Sequence, residues 1–113
     1  MGVRFASQIQ YKTVSEIRNA GVSFALRLDP GELFTGTPTV AEVTTSDLTI
    51  TNQGLNTAEL TILGVTNAIG QVIVFTVAGG VAGQRYAILC NCDTDAGNAQ
   101  TLFGGQYLEV VAD

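Results

Sequence analysis

The chain has 113 residues, 46 % of them apolar and only 13 % charged, with five basic against ten acidic side chains and a net charge of −5. That length fits one domain around a single core, and the apolar content excludes disorder. The acidic balance excludes nucleic acid as a partner, because phosphate contact needs clustered Lys and Arg, and no apolar run reaches the roughly 20 residues of a membrane span.

The low charge has a second consequence. Soluble domains carry about 25 % charged residues, so a surface this poor in charge points to cover by partners or by copies of the chain itself. Four of the five basic residues, Arg4, Lys12, Arg18 and Arg27, fall in the first 27 positions, and beyond them only Arg85 is basic. Residues 1–19 therefore read as a basic N-terminal arm on an acidic body, residues 20–113. Arg4, Lys12 and Arg18 are the candidate partner-binding residues, expected to make charge-assisted contacts on an arm that orders on binding. The opening Met1–Gln8 lacks the apolar block of a signal peptide, so folding in a cytoplasm is expected.

Within the arm, a short extended piece around Ser7–Tyr11 precedes a possible helical turn over Thr13–Arg18, too short to stand alone. From Gly21 the period becomes two. Val22, Phe24, Leu26 and Leu28 alternate with Ser23, Ala25 and Arg27, which predicts a half-buried strand to Leu28, closed by an Asp29-Pro30-Gly31 turn. Further strands are predicted over Glu32–Thr35 and Thr39–Thr45, separated by Gly36-Thr37-Pro38, then over Asp47–Thr51, Glu59–Leu63 and Gln71–Ala78. Gly79-Gly80-Val81-Ala82-Gly83 connects to a long strand over Arg85–Asp93. Asp95-Ala96-Gly97-Asn98 is a hairpin signal, and Gln100–Val111 returns with a bulge or bend expected at Gly104-Gly105.

These seven or eight short strands, with turn signals every 8–12 residues and no useful helix, predict an all-β fold: an immunoglobulin-like or fibronectin-like antiparallel β-sandwich with an extended N-terminal arm. Tyr86, near the start of the penultimate strand, fits the structural corner in which a tyrosine hydroxyl bonds back to the preceding turn. The absence of Trp and of an inter-sheet cysteine pair excludes an antibody domain. Strands such as Val40–Val43, Leu60–Leu63 and Val72–Val77 lack the Lys and Pro guards of exposed edges, so each is central or is paired with another chain.

Chemistry is sparse. There is no histidine, the commonest general base and a common metal ligand, so no catalytic, cofactor-binding or metal residue is assigned and an enzyme is not expected. Cys90 and Cys92, two apart on a strand, face the same side and read as small core hydrophobes. Asp93-Thr94-Asp95 resembles the start of a calcium loop, but Gly104 occupies the twelfth position where a bidentate Glu is needed. Gly79-Gly80 with Gly83 lacks the Lys and helix of a phosphate cradle.

Lys12-Thr13-Val14-Ser15-Glu16-Ile17-Arg18 leads into Val22–Leu28, Asp29-Pro30-Gly31-Glu32 and Gly36-Thr37-Pro38-Thr39-Val40. Leu48-Thr49-Ile50, Asn56-Thr57-Ala58, Gly79–Tyr86, Thr94-Asp95-Ala96-Gly97 and Leu108-Glu109-Val110-Val111 follow. Over residues 12–112 this series resembles the small immunoglobulin-like structural proteins of tailed bacteriophages and prophages, the fiber–tail adaptor family in particular. The resemblance implies a virion component without enzymatic role, present in several copies, assembled in the host bacterial cytoplasm and joining tail or neck to fibers through other virion proteins. A capsid decoration or cement protein, and an adhesion or ligand-binding module of a bacterial protein, are the alternatives. The chain departs from the family's pattern at Cys90 and Cys92, where Thr or Val is expected.

Overall fold

The computed structural model describes residues 4–5 (backbone only), 10–28, 31–43, 45–62, 64–95 and 100–113. Among them the protein is all-β, with no helix. In chain order the strands are β1 (Arg4–Phe5), β2 (Gln10–Thr13), β3 (Arg18–Ser23), β4 (Phe34–Glu42), β5 (Leu48–Leu55), β6 (Leu60–Ile62), β7 (Val65–Asn67), β8 (Val72–Gly79), β9 (Arg85–Thr94) and β10 (Thr101–Val111). One sheet runs β1-β10-β9-β4, with β2 also on β10; a second runs β3-β8-β5; β6 and β7 form a hairpin of their own. Pairing is antiparallel except for β1 and β2, which both lie parallel to β10.

Period-two alternation places the core. Along β9, Tyr86, Ile88, Cys90 and Cys92 face inward, and the register sets Leu108 beside Tyr86 and Val40 beside Cys90. From the other sheet come Val22, Ile73, Phe75 and Val77, so the two larger sheets share one hydrophobic cluster, an arrangement compatible with a β-sandwich. Phe24, fully buried, sits edge-on to Phe34 with ring centroids 4.9 Å apart; each such side chain contributes about 1.5–3 kcal/mol by leaving water.

Several predicted elements differ in the structure. The strand expected to reach Leu28 stops at Ser23, because the Phe24 carbonyl accepts the amides of both Arg27 and Leu28 and coils the chain into a turn. Leu26 thus leaves the core side and is 84 % exposed. The two strands expected on either side of Gly36-Thr37-Pro38 are one strand, β4, with a register shift between Thr35 and Thr39 that absorbs the proline. No bulge occurs at Gly104-Gly105, where β9 and β10 stay in register. Gly104 is needed for close approach instead: a Cβ there would stand 2.6 Å from the Phe24 ring. The β6–β7 hairpin also contains a strand, β7, that alternation over three residues is too short to reveal.

The boundary expected between residues 19 and 20 falls inside β3, and residues 10–13 of the expected arm are strand β2, seated on β10. The Glu16 amide bonds the Thr13 carbonyl, making one tight turn between β2 and β3. The Asp29-Pro30 part of the predicted turn and the Ala96-Gly97-Asn98 hairpin tip lie outside the described residues.

Candidate functional site

A cleft of about 1540 Å³ opens beside β3, between the β2–β10 side of one sheet and the β6–β7 hairpin on the other. β3 ends its sheet, so among the described residues its outer backbone edge pairs with no strand. Leu60, Ile62 and Val65 of the hairpin line the far wall, and two buried asparagines behind it hold the hairpin in place. Asn56 Oδ1 accepts the amides of Gly70, Gln71 and Val72, while its Nδ2 donates to the Ala58 and Ala68 carbonyls. Asn67 Nδ2 donates to Leu60 and Val65 carbonyls, and its Oδ1 accepts from the Ser23 hydroxyl at the end of β3. The hairpin is thereby pinned across the outer face of the β3–β8 pair. Ile62 reaches Gly21 there, a position at which a Cβ would also crowd Val72 at 3.1 Å.

Charge gathers on the opposite wall. Lys12 and Arg18 both line the cleft, as does Arg27, whose guanidinium lies 5.0 Å above the Phe24 ring, a cation–π contact. Glu16 is the single acidic residue lining it among the described residues, so three of the five basic residues line one cleft of an acidic chain. Arg18 is exposed and pairs with Glu16 at 3.4 Å. The Thr13 amide beside Glu16 holds its carboxyl below the usual carboxylate range, and Arg18 adds to that.

Lys12 is placed differently from the exposed contact residue expected of it. Strand alternation turns it inward beside Val110, and it is 1 % exposed. Its ammonium donates to the carbonyls of Thr13 (2.7 Å), Val14 (3.1 Å) and Gly79 (2.6 Å). All three protons are therefore engaged within the chain, tying the β2–β3 turn to the end of β8. Asp113 completes this corner, accepting from both the amide and hydroxyl of Ser15, which hold its carboxyl below the ordinary value. In β1 the backbone of Arg4 pairs with Gly104 of β10, and the Arg4 side chain lies outside the described residues.

At the other end of the core, the buried Tyr86 hydroxyl accepts the Val81 amide at 2.9 Å and donates to Asp47 at 2.9 Å. Burial raises its pKa above the ordinary tyrosine value, with the Asp47 carboxylate adding to the rise. This joins the β8–β9 connection to the start of β5. Gly80 in that connection has φ 102° and would place a Cβ 2.7 Å from Val110. Cys90 and Cys92 are free, buried thiols; burial pushes Cys90 up to about 12 and raises Cys92. Among the described residues no group of His, Cys, Asp and Glu is arranged to hold a metal ion.

The charge split singled out Lys12 and Arg18 in the sequence; both line the cleft, but only Arg18 is exposed. Sequence reasoning missed Arg27 as a lining residue, because the turn at Phe24 that redirects it is not visible in an alternating run. It also missed the Asn56 and Asn67 carboxamides, for which the only signal is polar residues bracketing a short apolar stretch. Among the described residues the cleft offers an unpaired strand edge, apolar walls and the two arginines Arg18 and Arg27, which is equipment for holding an extended polypeptide. No family model matches the chain, and neither does any curated protein or solved structure.

Proposed function

We propose that this chain is a non-enzymatic structural protein of a tailed-bacteriophage particle: an immunoglobulin-like sandwich that joins tail or neck to fibers and is present in several copies. The strand orders β3-β8-β5 and β10-β9-β4, with β2 parallel to β10 and a tyrosine bonded back to the turn before its strand, support the immunoglobulin-like reading. One observation carries the role: the edge of β3, which pairs with no strand among the described residues, borders the cleft that Arg18 and Arg27 line. An extended acidic segment of a neighbouring subunit can add there as a further strand, held by backbone hydrogen bonds and by charge.

The test is immunogold electron microscopy of particles from the encoding phage or lysogen, with antibody against this chain. Gold confined to the neck or tail base is the expected result. Gold spread over the head identifies a capsid decoration protein instead. Particles that neither label nor contain the chain on a blot overturn the virion reading in favour of a bacterial adhesion or ligand-binding module.

A further inference from the structure

The outer face of the β2-β10-β9-β4 sheet carries a second surface, on the other side of that sheet from the core. Register and alternation put Tyr11 of β2, Phe103, Tyr107 and Val111 of β10, Ala87 and Leu89 of β9 and Ala41 of β4 on this one face. Tyr11 is 54 % and Phe103 46 % exposed. With Val43 at the end of β4, five of the eleven large exposed apolar side chains among the described residues lie here. Its charged groups stand at the two ends. Arg85 and Glu109 pair at 3.1 Å at one end, and Asp93, accepting from the Thr101 hydroxyl, stands at the other.

We propose that this face is a homodimer interface, closed by a second copy of the chain packed face to face about a two-fold axis lying in the interface and running across the strands. The arrangement of the face selects both the partner and the axis. Arg85, Ala87, Leu89, Asn91 and Asp93 are the outward residues of β9, so Leu89 is the midpoint, with Arg85, already paired with Glu109, at one end of the strand and Asp93 at the other. Beside Leu89 the register places Gly105, itself the midpoint between Phe103 and Tyr107 on β10. Rotation about an axis through this Leu89–Gly105 row lays β9 over β9 and β10 over β10, reversed in direction. Arg85 then faces Asp93 of the second copy, Phe103 faces Tyr107, and Leu89 meets its own counterpart next to the low point left by Gly105.

Charge and area agree with this occupant. Among the described residues the face holds one basic and two acidic side chains, a balance of −1, while the whole chain carries −5, so two acidic copies approach here with little repulsion. Aligned packing of sheets keeps strands within about 30° of parallel or antiparallel, which the axis satisfies. Strands about 4.8 Å apart, with β4, β9 and β10 each spanning about 30 Å and the four-residue β2 about 13 Å, give roughly 500 Å² per copy, close to the threshold of about 1,000 Å² in total that a specific interface must clear. The dimer is accordingly weak, with a Kd of about micromolar order or above. This inference stands independently of the particle reading, because it concerns the purified chain.

Sedimentation velocity of the full chain, from about 1 μM to about 1 mM to bracket a weak interface, tests it. The sedimentation coefficient should rise from monomer to dimer and stop there, since a two-fold interface closes on itself. Leu89→Lys, outward-facing on a central strand, should raise the Kd at least tenfold with an unchanged circular-dichroism spectrum, and Tyr107→Lys does the same should the first variant fail to fold. Ile17→Lys, at 71 % exposure outside this face, should change nothing. Arg85→Asp and Asp93→Arg should each weaken self-association, while an equimolar mixture of the two should dimerise more tightly than either alone. Sedimentation as a monomer throughout, growth beyond a dimer, association indifferent to both Lys variants, or a mixture no tighter than its components would overturn the proposal.

Discussion

Tyr86 shows how one residue type can be read from sequence and then given a physical task. Its ring fills the core beside Leu108, while its hydroxyl serves the Val81 amide and the Asp47 carboxylate. A buried amide left without an acceptor costs about 1–3 kcal/mol. Tyr86→Phe keeps the ring and removes both bonds, so unfolding free energy should fall by roughly 2 kcal/mol. Urea denaturation should show a lower midpoint at constant slope, and an unmoved midpoint would mean that water replaces the hydroxyl at no cost. Lys12 is the opposite case, where residue type misleads. A lone lysine in a basic stretch reads as a solvent-facing contact group. Its position on an inward register, beside Val110, decides otherwise, and the long apolar stem lies in the interior while the ammonium finds three carbonyls.

At the level of elements, strand existence was legible wherever alternation ran for six residues or more, as in β8, β9 and β10, whereas β5, expected to end at Thr51, runs on to Leu55 through a register shift between Thr51 and Gly54. It failed where a local hydrogen bond overrode the period, as at Phe24, or where one strand crossed a glycine–proline break, as in β4. The cleft was legible only as a charge split, because its walls need long-range facts: β3 lying at the end of a sheet, and a hairpin pinned by Asn56 and Asn67. The attachment of β2 rests on the Lys12 ammonium as well as on its ladder with β10. Lys12→Met conserves the stem and deprives the carbonyls of Thr13, Val14 and Gly79 of their donor, at a cost of about 2–3 kcal/mol. Hydrogen exchange should accelerate most at the amides of residues 10–13 and 79–80, with the β9–β10 pair moved least. Uniform acceleration across both sheets would show that the lysine supports the whole core and not the β2 attachment.

For the molecule as a whole, the buried acids that are neutral at pH 7 set a limit on the alkaline side. Unfolded, a thiol of this kind ionises near 9.0, whereas burial pushes folded Cys90 up to about 12, and Cys92 and Tyr86 are raised in the same sense. Between those values the unfolded chain has lost protons that the folded chain still holds. The contribution of these groups to stability is therefore constant below about pH 9 and is lost as pH climbs toward 12. The gap at Cys90 alone corresponds to roughly 4 kcal/mol, a large part of the 5–15 kcal/mol typical of a domain. Ionisation adds negative charge to a chain already at −5, which acts in the same direction. Denaturant midpoints measured from pH 7 to 11.5 should be level up to pH 9 and then decline. Cys90→Val, which fills the same inward site on β9 with a β-branched apolar group, should remove much of that decline. A wild-type profile level to pH 11 would mean that the thiols reach solvent in the folded protein, and would count against the packing of β9 between β4 and β10.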